Sequence, residues 1–140
     1  LTPPEYDGNY DPHVWFDVTM WMKAVEKVNE VLARMDPENS DYYASNTDSY
    51  LKQLTDLDEY VKTKSATLPE DKRVLITAHD AFNYFGRGYG CAVRGFLVRV
   101  GGELFSDAIG NPCTPEGNYI GMVRHNINTI VNGLSGGGDT

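Results

Sequence analysis

Two short segments, far apart in the chain, each carry a side chain that can bind a metal ion. Residues 11–17 read DPHVWFD, so that His13 follows a proline and precedes two aromatic residues. Residues 102–110 read GELFSDAIG and contain Asp107 at the start of a glycine-containing loop. An imidazole nitrogen and a carboxylate are both common ligands of divalent transition metals. We therefore take His13 and Asp107 as candidate ligands of one metal site.

Each of these two residues also has a purely structural explanation. His13 could cap the helix that follows it or pack beneath Trp15, since single histidines are rarely ligands. Asp107 could form an Asx-turn or cap a helix. The residue types alone leave these alternatives open.

A third segment, residues 77–85, places His79 and Asp80 next to each other where a predicted strand meets a predicted helix. Together with His13 they could form a small metallohydrolase site, if all three side chains converge. A helix-capping role for Asp80 is the more economical interpretation. The sequence contains no nucleophile elbow, phosphate-binding loop, HExxH or CxxC motif, so we predict that the protein is not an enzyme.

Two helices must position the first segment. Asp17 is a plausible N-cap, and from there apolar residues recur at helical spacing. This apolar face comprises Val18, Trp21, Met22, Val25, Val28, Leu32 and Met35. A second helix restarts with Asp36 as its cap and Pro37 in its first turn, and we expect it to reach about Thr67. At 1.5 Å per residue it would be roughly 40 Å long, which is typical of a helix that braces two lobes or belongs to a bundle.

The rest of the chain predicts a mixture of strands and helices. A buried strand over 73–78 is followed by a short helix from Asp80 to about Arg87, which Gly88 and Gly90 end. A second strand is expected over 92–100, and residues 114–116, Thr-Pro-Glu, are typical of a helix start. The last helix should reach Leu134, before a glycine-rich tail.

Composition excludes several classes of partner. The 140 residues fit one domain, and a formal net charge of −8 disfavours nucleic acid, which needs a basic face. No apolar run approaches the roughly 20 residues of a membrane span, and no signal peptide is expected at Leu1. Cys91 and Cys113 could pair or could both be free.

The words DPHVWFD, TAHDAFNYF and GGELFSDAIG…TPEGNYIGMVRHN together resemble the metal-binding solute-binding proteins of bacterial ABC importers for manganese, zinc or iron. The resemblance covers residues 6–95 and 100–134. In that family two α/β lobes are joined by one long helix, and the metal lies between them. The resemblance implies an α/β fold that is partial here, with a long backbone helix and an incomplete small β-sheet flanked by helices. Its parts are 1–38 (entry loop and first helix), 39–67 (backbone helix), 68–134 (incomplete C-terminal lobe) and 135–140 (tail).

The resemblance also implies a set of metal ligands. The family uses four side chains, of which His13 matches the second histidine and Asp107 the last carboxylate. The first histidine belongs to an N-terminal lobe with no counterpart here. The third ligand, a Glu or His, is expected in a segment missing between about Phe96 and Val98. Imidazole and carboxylate ligands together favour manganese or iron(II) over zinc.

The function implied by the resemblance is capture of Mn²⁺ or Zn²⁺, as a bound ligand and not a catalytic cofactor, for delivery to the membrane permease of an ABC importer. The protein would then be periplasmic or extracellular, and membrane-tethered as in the family. The alternative is a helical interaction or adhesion module without a metal. An incomplete sheet also predicts possible self-association through an exposed sheet edge.

Overall fold

The computed structural model describes residues 1–3, 7–77, 79–94 and 102–135. Four α-helices surround a two-stranded parallel sheet, in which Val74 pairs with Ala92 and Ile76 with Arg94. Within these residues, no helix is both long and apolar enough to cross a membrane. The elements are α1 (Val18–Met35), α2 (Ser40–Ala66), β1 (Val74–Ile76), α3 (Asn83–Tyr89), β2 (Ala92–Arg94) and α4 (Tyr119–Leu134).

Helix α1 begins as the sequence predicts, because Asp17 caps it. The Asp17 carboxylate accepts hydrogen bonds from the backbone amides of Thr19 and Met20, which have no partner inside the helix. The first half of the apolar face packs on the core. In its second half Val28, Leu32 and Met35 remain exposed. One apolar face of α1 is therefore covered only near its N-terminal end in the part of the chain that is described.

Helix α2 is the central element of the core. One 3₁₀ turn, Pro37–Asn39, precedes it, and its 27 residues make it roughly 40 Å long, as the sequence predicts. Leu54, Leu57 and Val61 are fully buried on one face. Tyr60 reaches across and donates a hydrogen bond of 2.8 Å to Asn128 of α4. The helix thus joins α1, α3 and α4 into a single core.

The prediction for α3 is wrong at both ends. The helix begins at Asn83, because the amide of Ala81 bonds back to the carbonyl of His79 and turns the chain first. Asp80 is therefore not the helix cap. The helix also passes through Gly88 and ends only at Gly90, whose φ of 71° is the left-handed conformation that suits glycine.

Strand β1 and the last helix are shorter than the sequence predicts. The described part of the second strand is Ala92–Arg94, and the rest of that prediction falls on residues outside those described. Helix α4 does not begin at the Thr-Pro-Glu segment. The amide of Gly117 bonds to the carbonyl of Thr114 in a turn, and the Asn118 side chain caps the helix by accepting from Gly121. Both cysteines are free thiols.

A buried hydroxyl joins three helices near the start of α1. Tyr89 of α3 donates to the Asp58 carboxylate of α2 at 3.1 Å and accepts from the backbone amide of Val18 at 3.1 Å. Burial raises the pKa of the Tyr89 hydroxyl, so it stays protonated and keeps its role as a donor. Asp58 also accepts a bond from Lys62, which completes its charge pairing.

The substitution Tyr89→Phe removes this hydroxyl and leaves the Val18 amide and the Asp58 carboxylate each without one buried partner. We expect the free energy of unfolding to fall by about 1–3 kcal/mol. Urea unfolding followed by circular dichroism measures this loss. Tyr42→Phe, at a ring that is 66% exposed, is the matched control and should change little. Equal stabilities of the two variants would contradict the bridging role of Tyr89.

Candidate metal centre

The imidazole of His13 is held in one orientation by a buried carboxylate. Its Nδ1 lies 2.7 Å from Oδ1 of Asp11, and its backbone amide donates to the same oxygen at 3.0 Å. Asn83 of α3 donates to the other carboxylate oxygen at 3.2 Å. In the neutral tautomer that donates from Nδ1 to this carboxylate, Nε2 is the nitrogen that can bind a metal ion. This arrangement is typical of a histidine that binds a metal.

The structural alternatives for His13 do not account for this geometry. Its side chain makes no capping hydrogen bond to the 3₁₀ turn Val14–Phe16 that follows. It does contact the Trp15 ring edge-on, at 5.2 Å between centroids, so the packing alternative is partly right. The packing supports the ring and leaves Nε2 facing away from Asp11.

Asp107 lies directly in front of His13. One carboxylate oxygen is 3.6 Å from Nε2 of His13 and the other is 3.1 Å from Nε2 of His79. Its loop is held in place because the Trp15 indole donates to the carbonyl of Ser106 at 3.1 Å. The two predicted ligands, distant in sequence, therefore meet in space.

His79 is a residue that the sequence analysis placed with His13 only in the hydrolase alternative, outside the predicted pair of ligands. It follows strand β1, and its ring lies 5.1 Å from that of His13 at nearly a right angle. The signal that could have found it is its place after a strand, because ligands gather at the carboxyl ends of parallel strands. Within the described residues, the fold thus brings a second imidazole close to the two predicted ligands.

The donor atoms of His13, His79 and Asp107 all lie within 4.8 Å of one another. Donors that bind one ion at about 2.1 Å in tetrahedral geometry lie about 3.4 Å apart, so the most distant pair must approach by roughly an ångström on binding. The side chains of His79 and Asp107 are 50% and 58% exposed and are free to make this adjustment. Two imidazole nitrogens and one carboxylate oxygen suit zinc, iron(II) or manganese. The hydrolase hypothesis named Asp80 as the carboxylate beside His13 and His79. In the cluster, the carboxylate beside these two histidines is that of Asp107.

The third histidine of the chain, His125, lies outside this cluster. His125 of α4 lies with Nε2 3.1 Å from the carbonyl oxygen of Glu103, and its Nδ1 is 4.0 Å from the carboxylate of Glu116. Its ring contacts Phe105 edge-on. It supports the segment that precedes Asp107.

Comparison with known proteins identifies a family. Residues 2–100 match the model of the family described as zinc-uptake complex component A, periplasmic. The zinc-binding protein TroA of Treponema pallidum is 36% identical, and the match covers 92% of this chain and 59% of TroA. The manganese-binding lipoprotein MntA of Bacillus subtilis is 32% identical, with 96% of this chain and 61% of MntA covered. The chain thus spans about three fifths of the length of these relatives.

The solved structures agree with the sequence comparison. The periplasmic zinc-binding protein TroA from Treponema pallidum superposes with a TM-score of 0.86 over 91% of this chain and 65% of its own. The fold is therefore the expected α/β metal-binding fold in partial form. The sequence alignment with TroA runs over 181 positions, more than the 140 residues of this chain. The matched region of TroA consequently contains residues that have no counterpart here, in keeping with the predicted internal gap.

The contact between Asp11 and His13 generates a prediction that depends on charge. Asp11→Asn keeps the shape of the side chain and removes the negative charge that orients and polarises the imidazole. We expect the affinity for Zn²⁺ to fall by about 10- to 100-fold, as is typical when the carboxylate behind a histidine ligand is lost. Titration against a chelating indicator measures it. Asp7→Asn, at an exposed residue, is the control, and an equal loss in both variants would contradict the role of Asp11.

Proposed function

Because the chain belongs to the zinc-uptake complex component A family, we propose that it captures a divalent transition-metal ion outside the cytoplasm for delivery to an ABC permease. The observation that carries the proposal is the convergence of His13, His79 and Asp107 around one point. The names of the relatives point the same way, since TroA is a zinc-binding protein and MntA a manganese-binding lipoprotein. The metal is cargo, and the protein performs no chemistry on it.

The site binds the ion with one donor atom that is held in place and two donor side chains that can move. His13 is buried and held by Asp11, so its Nε2 defines where the ion sits. His79 and Asp107 are half-exposed and close on the ion from the solvent side. Three protein ligands leave coordination positions for water or for donors from elsewhere in a longer protein. Binding and release then need only small movements of two surface side chains.

The donor set bears on which metal is carried. The sequence favours Mn²⁺ on the basis of one imidazole and one carboxylate, and we retain Mn²⁺ as a proposed cargo. A second imidazole nitrogen raises the affinity for Zn²⁺ more than for Mn²⁺, because mixed nitrogen and oxygen sites follow the Irving–Williams order. We therefore propose that the site accepts both ions and binds Zn²⁺ more tightly.

The remaining parts of the proposal concern place and partners. The relatives include lipoproteins and a periplasmic protein, which supports a location outside the cytoplasm, tethered to or near the membrane. The permease of an ABC importer is the proposed partner. The predicted self-association through a sheet edge stays a prediction. Neither the hydrolase nor the adhesion alternative has an observation that favours it over metal capture.

The third donor gives the most direct test of the site. We expect Zn²⁺ at 100 times its Kd to stabilise the wild-type chain by about 2.7 kcal/mol, since it binds only the folded state. The variants His13→Ala/Asp107→Ala and His79→Ala should both lose most of the rise in Tm. Differential scanning calorimetry with and without metal measures this rise.

Glu30→Ala, at an exposed carboxylate of α1, is the control for a general effect of removing a charged side chain. It lies outside the three-donor cluster, so it should keep the full rise in Tm. A His13→Ala/Asp107→Ala variant that keeps the wild-type rise would show that the site is assigned wrongly. A normal rise in His79→Ala alone would remove His79 from the ligand set.

The two proposed cargo ions are compared in a competition titration. We expect Zn²⁺ to displace Mn²⁺ from the wild-type chain, and the ratio of their Kd values to shrink in His79→Ala because that variant loses a nitrogen ligand. Isothermal calorimetry of the Mn²⁺-loaded protein with Zn²⁺ measures the ratio. Mn²⁺ binding as tight as that of Zn²⁺ would mean that oxygen donors dominate the site.

A further inference from the structure

The segment that carries Asp107 obtains its backbone hydrogen bonds from a helix side chain. Residues 102–105 belong to no strand in the described structure. Instead Asn126 of α4 accepts from the amide of Phe105 at 3.0 Å and donates to the carbonyl of the same residue at 2.8 Å. An opposing residue in an antiparallel sheet would make the same pair of bonds. The Asn126 side chain thus takes the place of a neighbouring strand.

Asn126 is well suited to hold this segment rigidly. It is 3% exposed, and its two amide hydrogen bonds to Phe105 are shielded from water, which makes their loss costly. Neighbouring positions on α4 support the same segment. His125 contacts the carbonyl of Glu103, and a Cβ on Gly102 would lie 2.4 Å from the Thr129 side chain, so this glycine permits the close approach.

Only a short stretch of chain separates Phe105, which Asn126 holds, from the metal site. Phe105 is fixed by Asn126, Ser106 is fixed by the Trp15 indole, and Asp107 follows at once. The position of the Asp107 carboxylate, 3.6 Å from Nε2 of His13, therefore depends on the two preceding residues. A backbone shift of an ångström at Phe105 would carry Asp107 out of reach of an ion bound at His13.

We propose that Asn126 is a positioning residue of the metal site. It fixes the backbone of Phe105, and through it the Asp107 carboxylate relative to His13 and His79. This inference rests on the proposed function, because it assigns a role within the same metal site. Asn126 touches no donor atom itself, so its effect must pass through Asp107.

The first measurement needs no metal. Hydrogen exchange of the metal-free Asn126→Ala variant should show lost protection of the backbone amides in residues 102–107. The protection of the helices should be unchanged. Asn128→Ala is the matched control. Asn128 lies on α4 like Asn126, but its side chain accepts a hydrogen bond from Tyr60 of α2 and does not touch this segment. Asn126→Asp keeps the acceptor for the Phe105 amide and loses the donor, and it serves if the alanine variant does not fold. Unchanged protection in the folded Asn126 variant would overturn the proposal.

The second measurement is a double-mutant cycle on Zn²⁺ affinity. We expect Asn126→Ala to raise the Kd about tenfold and Asn128→Ala to leave it within about twofold. In an Asp107→Ala background the Asn126 substitution should add no further loss, because the carboxylate that it positions is gone. The same tenfold loss in both backgrounds would overturn the proposal while leaving metal capture intact. A wild-type chain that binds no Zn²⁺ or Mn²⁺ would refute the proposed function and with it the positioning role, whereas exchange would still report whether Asn126 holds the segment.

Discussion

A single indole hydrogen bond connects the two segments on which the metal site depends. Trp15 stands two residues after His13, and its Nε1 donates to the carbonyl of Ser106, one residue before Asp107. The backbone of Trp15 is fixed in turn, because the Tyr119 hydroxyl of α4 donates to its carbonyl at 2.7 Å. One half-buried aromatic residue therefore holds two donors, which are far apart in sequence, close together in space. The indole suits this task because it packs against His13 with its edge and offers one donor at its tip.

The same region fixes the start of α1 and so links the site to the core. Asp17 caps the helix only four residues after His13, and Arg87 of α3 lies 3.4 Å from its carboxylate. From α3, Asn83 reaches the Asp11 carboxylate and Tyr89 reaches the first amide of α1. The orientation of the His13 imidazole is thus supported by hydrogen bonds from α3 to the Asp11 carboxylate and to the start of α1. In the described residues 7–17 the 3₁₀ turn Val14–Phe16 is the regular secondary structure, and these long-range contacts hold it against the core.

The sequence predicts those features that depend on local chemistry. Asp17 before an apolar helical pattern specifies the start of α1, and His13 and Asp107 stand out by residue type and by their neighbours. His79 was grouped with His13 in the hydrolase alternative alone, because nothing local marks it as a partner of Asp107. The fold brings its Nε2 to 3.1 Å from the Asp107 carboxylate. The starts of α3 and α4 were misplaced because Asp80 and the Thr-Pro-Glu segment are good helix-start residues. These residues instead form the turns that end at Ala81 and Gly117, and each helix begins after its turn.

The distribution of donors over three segments has a consequence for how the site binds. His13 comes from the entry segment, His79 from the end of β1, and Asp107 from a segment held by α4, so no two of them are brought together without the tertiary fold. The unfolded chain cannot reproduce this arrangement, and metal-binding free energy is therefore added to folding free energy. The fixed donor is buried and the two adjustable donors are half-exposed. In the proposed function of metal capture, rotation of these two exposed side chains would take up and release the ion.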